Sequence, residues 1–111
     1  MKKFLLVILA LGLAGLAQAQ DKTTVTGYLM DKSCSDAKSD AKTHDKGCLE
    51  MADCVKSGYG VVTPEGKFLA FDAKGNKDAA AWIKSSKKKT ELTVTITGTM
   101  DKDVLKVASI K

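Results

Sequence analysis

Apolar and polar positions alternate in short blocks along most of the chain, with one long polar interruption. Over Thr23 to Met30 (TTVTGYLM), Val25, Gly27 and Leu29 fall on one side and Thr24, Thr26 and Tyr28 on the other, which predicts a half-buried strand. The same period of two returns in Glu91 to Met100, where Leu92, Val94 and Ile96 share a face opposite Thr93, Thr95 and Thr97. An Asp101-Lys102-Asp103 turn then leads into a last strand, Val104 to Ile110. Between these blocks, Tyr59 to Thr63 and Lys67 to Asp72 flank Thr63-Pro64-Glu65-Gly66. There proline presets φ and glycine permits the reversal of a hairpin. Asp78 to Lys88 carries Ala79, Trp82 and Ile83 at helical spacing, with Asn76 or Asp78 as the expected cap and Ala73 to Asn76 as a polar break before it.

The interruption runs from Asp31 to Gly58, where the main apolar surface is that of Leu49, Met51, Ala52 and Val55. Their spacing predicts a helix of about two turns from near Asp45 or Cys48, with Gly58 as its C-terminal cap. The element order is strand, long cysteine-bearing loop, strand, strand, helix, strand, strand. It predicts a mainly β fold, a small five-stranded OB-like barrel with one helix between strands 3 and 4. A twisted α+β sandwich of the same elements is the alternative.

The N-terminus changes the picture, because it sets the redox compartment. Lys2 and Lys3, the apolar run Phe4 to Leu16 and Ala17-Gln18-Ala19 have the layout of a signal peptide. Residues 1–19 are expected to be removed between Ala19 and Gln20, leaving a single domain over 20–111 with a Cys-rich insertion at 31–58. The apolar run is shorter than the roughly 18 to 20 residues of a spanning helix, so no membrane span is expected in the mature form. A periplasmic or secreted protein is the expectation. The formal charge of +5 falls to +3 without Lys2 and Lys3, and all the basic residues are lysine. Lacking arginine, the residue that reads guanine and forks onto phosphates, the chain is not expected to recognise nucleic acid by sequence. Lys87-Lys88-Lys89 reads as a solvated helix end.

The chemistry-bearing residues all lie in the polar interruption. Cys34, Cys48 and Cys54 are the only cysteines and His44 the only histidine. Three thiolates and one imidazole complete a tetrahedral shell for zinc or copper(I), so these residues are the candidate metal ligands. In one continuous helix Cys48 and Cys54 would point about 240° apart, and one of them must leave the helix for both to bind. An odd cysteine count in an oxidising compartment also allows one disulfide, such as Cys34 to Cys48, with a spare thiol, or a redox-active thiol. Asp31 is a turn-forming aspartate or a supporting group that orients His44. Met30, Met51 and Met100 read as packing residues and Trp82 as a core anchor of its helix. No catalytic motif is present.

The segment Gly27-Tyr28-Leu29-Met30-Asp31-Lys32-Ser33-Cys34, followed by His44, Cys48, Cys54, Gly58-Tyr59-Gly60-Val61-Val62 and Thr95-Ile96-Thr97-Gly98-Thr99, resembles a pattern found in a family of small exported bacterial OB-fold-like proteins, a domain of unknown function. The resemblance covers the mature chain and implies its fold and export; it implies no activity. The interval from Cys48 to Cys54 is wider than in that pattern. The expected function is an exported, non-enzymatic binding module, its Cys/His loop holding a soft metal, with a small ligand or an envelope protein as its expected kind of partner. A disulfide-stapled structural envelope protein and a thiol-dependent redox protein are the alternatives.

Overall fold

The computed structural model describes residues 22–111, and the export segment expected over residues 1–19 lies outside them. Five strands form a closed barrel: β1 (Thr23–Asp31), β2 (Tyr59–Val62), β3 (Phe68–Phe71), β4 (Thr93–Asp101) and β5 (Val104–Ile110). Four helices join them: α1 (Lys32–Asp36), α2 (Lys46–Leu49) and α3 (Ala52–Ser57) between β1 and β2, and α4 (Ala73–Ser85) between β3 and β4. Around the barrel the order is β1-β2-β3-β5-β4, and β3 and β5 are parallel while the other pairs are antiparallel. This is the expected OB-like barrel rather than a sandwich. None of the described helices is long and apolar enough to cross a membrane.

Closure depends on β1 serving two partners in succession. Its first half, Thr23 to Tyr28, pairs with β4, and its second half, Tyr28 to Asp31, pairs with β2. The period-two pattern places Leu29, Val61, Leu69, Phe71, Val94, Ile96, Leu105 and Val107 in the core. Burying these side chains away from water is the main force holding the barrel together. Near the end of β1 the alternation fails, because Leu29, Met30 and Asp31 are all buried in succession. The cysteine loop covers the face that a strand of this kind would otherwise show to solvent.

Helix α4 begins earlier than its apolar spacing predicts. Asp72 caps it, with Oδ1 accepting from Gly75 N at 2.9 Å, and residues 73–76 form the first turn rather than a break. Gly75 lowers helix propensity, but packing requires it: a Cβ there would lie 2.5 Å from Val107 Cγ2 and 2.8 Å from Phe71 Cβ. Asn76 is not the cap either. Its Oδ1 accepts from Tyr59 N at 2.6 Å and its Nδ2 donates to Phe71 O at 3.2 Å, so it joins α4 to the start of β2. The helix buries Ala79 and Ile83, with Trp82 packed partly against the core. It stops at Ser85, so Lys87, Lys88 and Lys89 follow it as exposed coil instead of forming its last turn.

Candidate metal centre

The end of β1 and the start of β2 form the floor of the site, with Asp31 paired opposite Tyr59. Asp31 is extended and fully buried, and it caps α1 through Oδ2, which accepts from Cys34 N at 2.9 Å. An aspartate three residues before a cysteine thus sets the direction of the thiol by ordinary N-cap chemistry. Backbone and hydroxyl bonds then tie α1 to α3: Lys32 N donates to Gly58 O at 2.9 Å, Ser33 N to Ser57 Oγ at 3.1 Å, and Ser57 Oγ to Cys54 O at 2.8 Å.

The two-turn helix expected here is two shorter ones. Asp45 caps α2 by accepting from Gly47 N at 2.8 Å, and the segment breaks at Glu50 and Met51, where Met51 is extended (φ −69°, ψ 143°). Leu49 explains the break. It is completely buried and anchors α2 in the core, and its carbonyl accepts from the Tyr59 hydroxyl at 2.6 Å. Helix α3 then starts in a new direction and ends at Gly58 with φ 90°, a conformation that side-chain-bearing residues rarely adopt. The break brings Cys48 and Cys54 face to face, with their sulfurs 3.9 Å apart.

From the other side, the chain between α4 and β4 clasps the loop. Lys46 N donates to Lys89 O at 2.7 Å, Glu91 N donates to Lys42 O at 2.8 Å, and Lys46 Nζ reaches Ser86 O at 2.8 Å. None of these contacts has a signal in the apolar pattern.

Inside this frame the donors converge. Cys34 Sγ lies 3.8 Å from Cys48 Sγ, and His44 Nε2 lies 2.9 Å from Asp31 Oδ1. Donor atoms from Asp31, Cys34, His44 and Cys48 all fall within 4.8 Å of one another, and Cys54 adjoins this set through Cys48. The three cysteines are free thiols in this structure. The sequence-derived candidates are therefore gathered in one place, with Asp31 at its centre and Cys54 at its edge.

The electrostatics favour protonated thiols around an ionised carboxylate. Burial works against the charge on Asp31, but hydrogen bonds from the Cys34 backbone, His44 and the thiols of Cys34 and Cys54 outweigh it and hold its pKa below the usual value. The carboxylate is thus the acceptor and His44 Nε2–H the donor in their contact. Burial, the Cys48 contact and the Asp31 charge push the Cys34 thiol up to about 11. Burial, the Asp31 charge and the Cys48 contact push Cys54 up to about 12. Thiols held this way are weak nucleophiles, since the thiolate is the reactive form.

The spacing suits a soft ion. Metal–sulfur bonds of about 2.3 Å in a tetrahedral shell set the sulfur–sulfur edge at about 3.8 Å. The observed separations are 3.8 and 3.9 Å. Histidine ligands commonly donate their other ring nitrogen to a carboxylate, and Asp31 stands where such a partner would. Tyr59, Leu49 and Ser57 support the site without appearing among the sequence candidates. The Asp-x-x-Cys spacing was the one available signal for the cap. Comparison with protein-family profiles, curated proteins and solved structures gives no match, so the reading of this cluster rests on its geometry.

Proposed function

We propose that the chain is an exported, non-enzymatic binding module that holds one soft metal ion, zinc or copper(I). Cys34, Cys48 and His44 supply the inner donors, and Asp31 and Cys54 are the two neighbours from which a fourth is drawn. The observation that carries this reading is the run of sulfur separations at 3.8 and 3.9 Å beside a buried His44–Asp31 pair. Burying an aspartate and a histidine in a small domain is costly unless they are paired, and a bound cation would further offset that cost. The raised thiol pKa values of Cys34 and Cys54 count against a nucleophilic or thiol-dependent catalytic role.

Metal binding replaces thiol protons, so affinity is expected to fall as the pH drops. Reduced protein titrated with zinc, and separately with copper(I), under native mass spectrometry should take up about one equivalent, with an increase in melting temperature. Uptake below about a tenth of an equivalent of either ion would sink the reading. A second reading, a loop stapled by a Cys34–Cys48 disulfide, is favoured by the same 3.8 Å contact.

A further inference from the structure

We propose that Cys48 is the hub of a thiol–disulfide switch on this site: oxidation joins it to Cys34, and the bridged protein no longer holds the metal. This regulation rests on the metal-binding reading above. Cys48 Sγ makes both sulfur contacts, 3.8 Å to Cys34 and 3.9 Å to Cys54, so it is the one thiol with two partners within reach.

Exposure and anchoring select between those partners. Cys34 and Cys48 are both partly exposed, whereas Cys54 is 6% exposed and closed to a reagent in solution. Cys34 sits on α1, a helix of five residues that buries none of them. Closing the sulfurs from 3.8 Å to the roughly 2.05 Å of a bond therefore moves a segment that carries no core packing. Cys48 is held by the buried Leu49 beside it, and Cys54 lies in the interior. Cys34 is therefore the partner whose movement disturbs the least buried surface.

The chemistry needs an external two-electron oxidant, and a small-molecule disulfide is sufficient. The Cys48 thiolate attacks one sulfur of the reagent, forming a mixed disulfide and releasing one reagent thiolate, which takes up a proton. Cys34, already in contact with the Cys48 sulfur at 3.8 Å, then loses its proton and attacks it, expelling the second reagent thiolate; this proximity offsets the weak nucleophilicity of the thiol. Two protein thiols become one disulfide, and one reagent disulfide becomes two thiols. The bridge removes two of the proposed donors together. Conversely, a bound ion occupies both sulfurs and blocks the first attack.

Oxidised glutathione tests this on the purified, reduced chain, with peptide mapping after alkylation and without reduction. The expected product carries a Cys34–Cys48 bridge and an alkylated Cys54, and it binds zinc at least about tenfold more weakly until a reductant restores it. Protein loaded with zinc beforehand should oxidise about tenfold more slowly. Cys54→Ser should form the same bridge and Cys34→Ser should not. A bridge that contains Cys54, or a bridged protein that keeps full zinc affinity, overturns the switch. If the reduced chain binds no zinc, the metal reading fails and the switch on it falls as well, while the bridge map still reports which thiols pair.

Discussion

The barrel and the cysteine loop are built on different physics. The barrel is held by burial: its inward row of Leu29, Val61, Val94, Ile96, Leu105 and Val107 is almost completely removed from water. Between Lys32 and Gly58 only Leu49 and Cys54 among the apolar residues are buried, and order comes from caps at Asp31 and Asp45, the Ser57 hydroxyl and backbone bonds to residues 89 and 91. Each such bond contributes about 0.5 to 2 kcal/mol to stability, against about 2 to 5 for a large core side chain. The consequence is a division of labour in which a stiff apolar frame supports a loop whose side chains are free to serve chemistry.

Breaking the frame should have the largest effect. Ile96→Ala removes a fully buried side chain from the centre of β4 and should destabilise the fold by about 2 to 5 kcal/mol in denaturant unfolding, with loss of metal uptake at the unfolding midpoint. Asp31→Asn tests the loop instead. Asparagine keeps the cap on α1 but gives up the charge that accepts from His44 and the thiols, so metal-free stability at neutral pH should fall by about 1 to 3 kcal/mol and metal affinity by about 10- to 100-fold in a zinc titration. In acid the wild type carries an additional loss. The depressed pKa of Asp31 contributes stability above its unfolded value, lost as the pH falls through the folded one, and Asp31→Asn should lack that slope.

Tyr59→Phe sharpens the seam between the two regions. It leaves the Leu49 carbonyl without its 2.6 Å donor and should cost about 1 to 2 kcal/mol. Burial first, and then the Asp31 charge, raise the Tyr59 pKa, so its contribution is complete below its unfolded pKa of about 10 and is lost as the pH rises past it. Cys34 and Cys54, raised from 9.0 to about 11 and about 12, carry the same sign. Metal-free protein should therefore weaken as the pH rises above about 9, and Tyr59→Phe should remove the tyrosine share of that decline. The smallest effect is expected at Lys87, Lys88 and Lys89: alanine at all three should change stability by no more than about 0.5 kcal/mol each.

The same contrast decides what could be read from the sequence. Strands were legible because burial leaves a period: Leu92, Val94 and Ile96 are inward as their alternation requires, and Thr63-Pro64-Glu65-Gly66 turns the hairpin, with Gly66 N donating to Thr63 O at 2.8 Å. The gathering of Cys34, His44, Cys48 and Cys54 was legible from their confinement to one polar segment. The helix break at Glu50 and Met51 was not, because it is imposed by Leu49 entering a core assembled from distant strands. The early start of α4 was hidden for a similar reason: Gly75 and Asn76 discourage helix locally, and both are required by Val107, Phe71 and Tyr59. Asp31 was visible as a candidate, but its two simultaneous bonds depend on His44, thirteen residues away.

The clasp between the loop and the α4–β4 connection has a consequence for the order of assembly. Lys42 and Lys46 emerge early in synthesis, yet their backbone partners are Glu91 and Lys89, and the floor beneath them is β1, whose first half has no partner until β4 follows. A chain delivered N-terminus first therefore carries its thiols in an open, unclasped segment until most of its length has emerged. The site is finished by a segment far downstream of it in sequence, and the thiols are most open to oxidation or to stray ions during that interval.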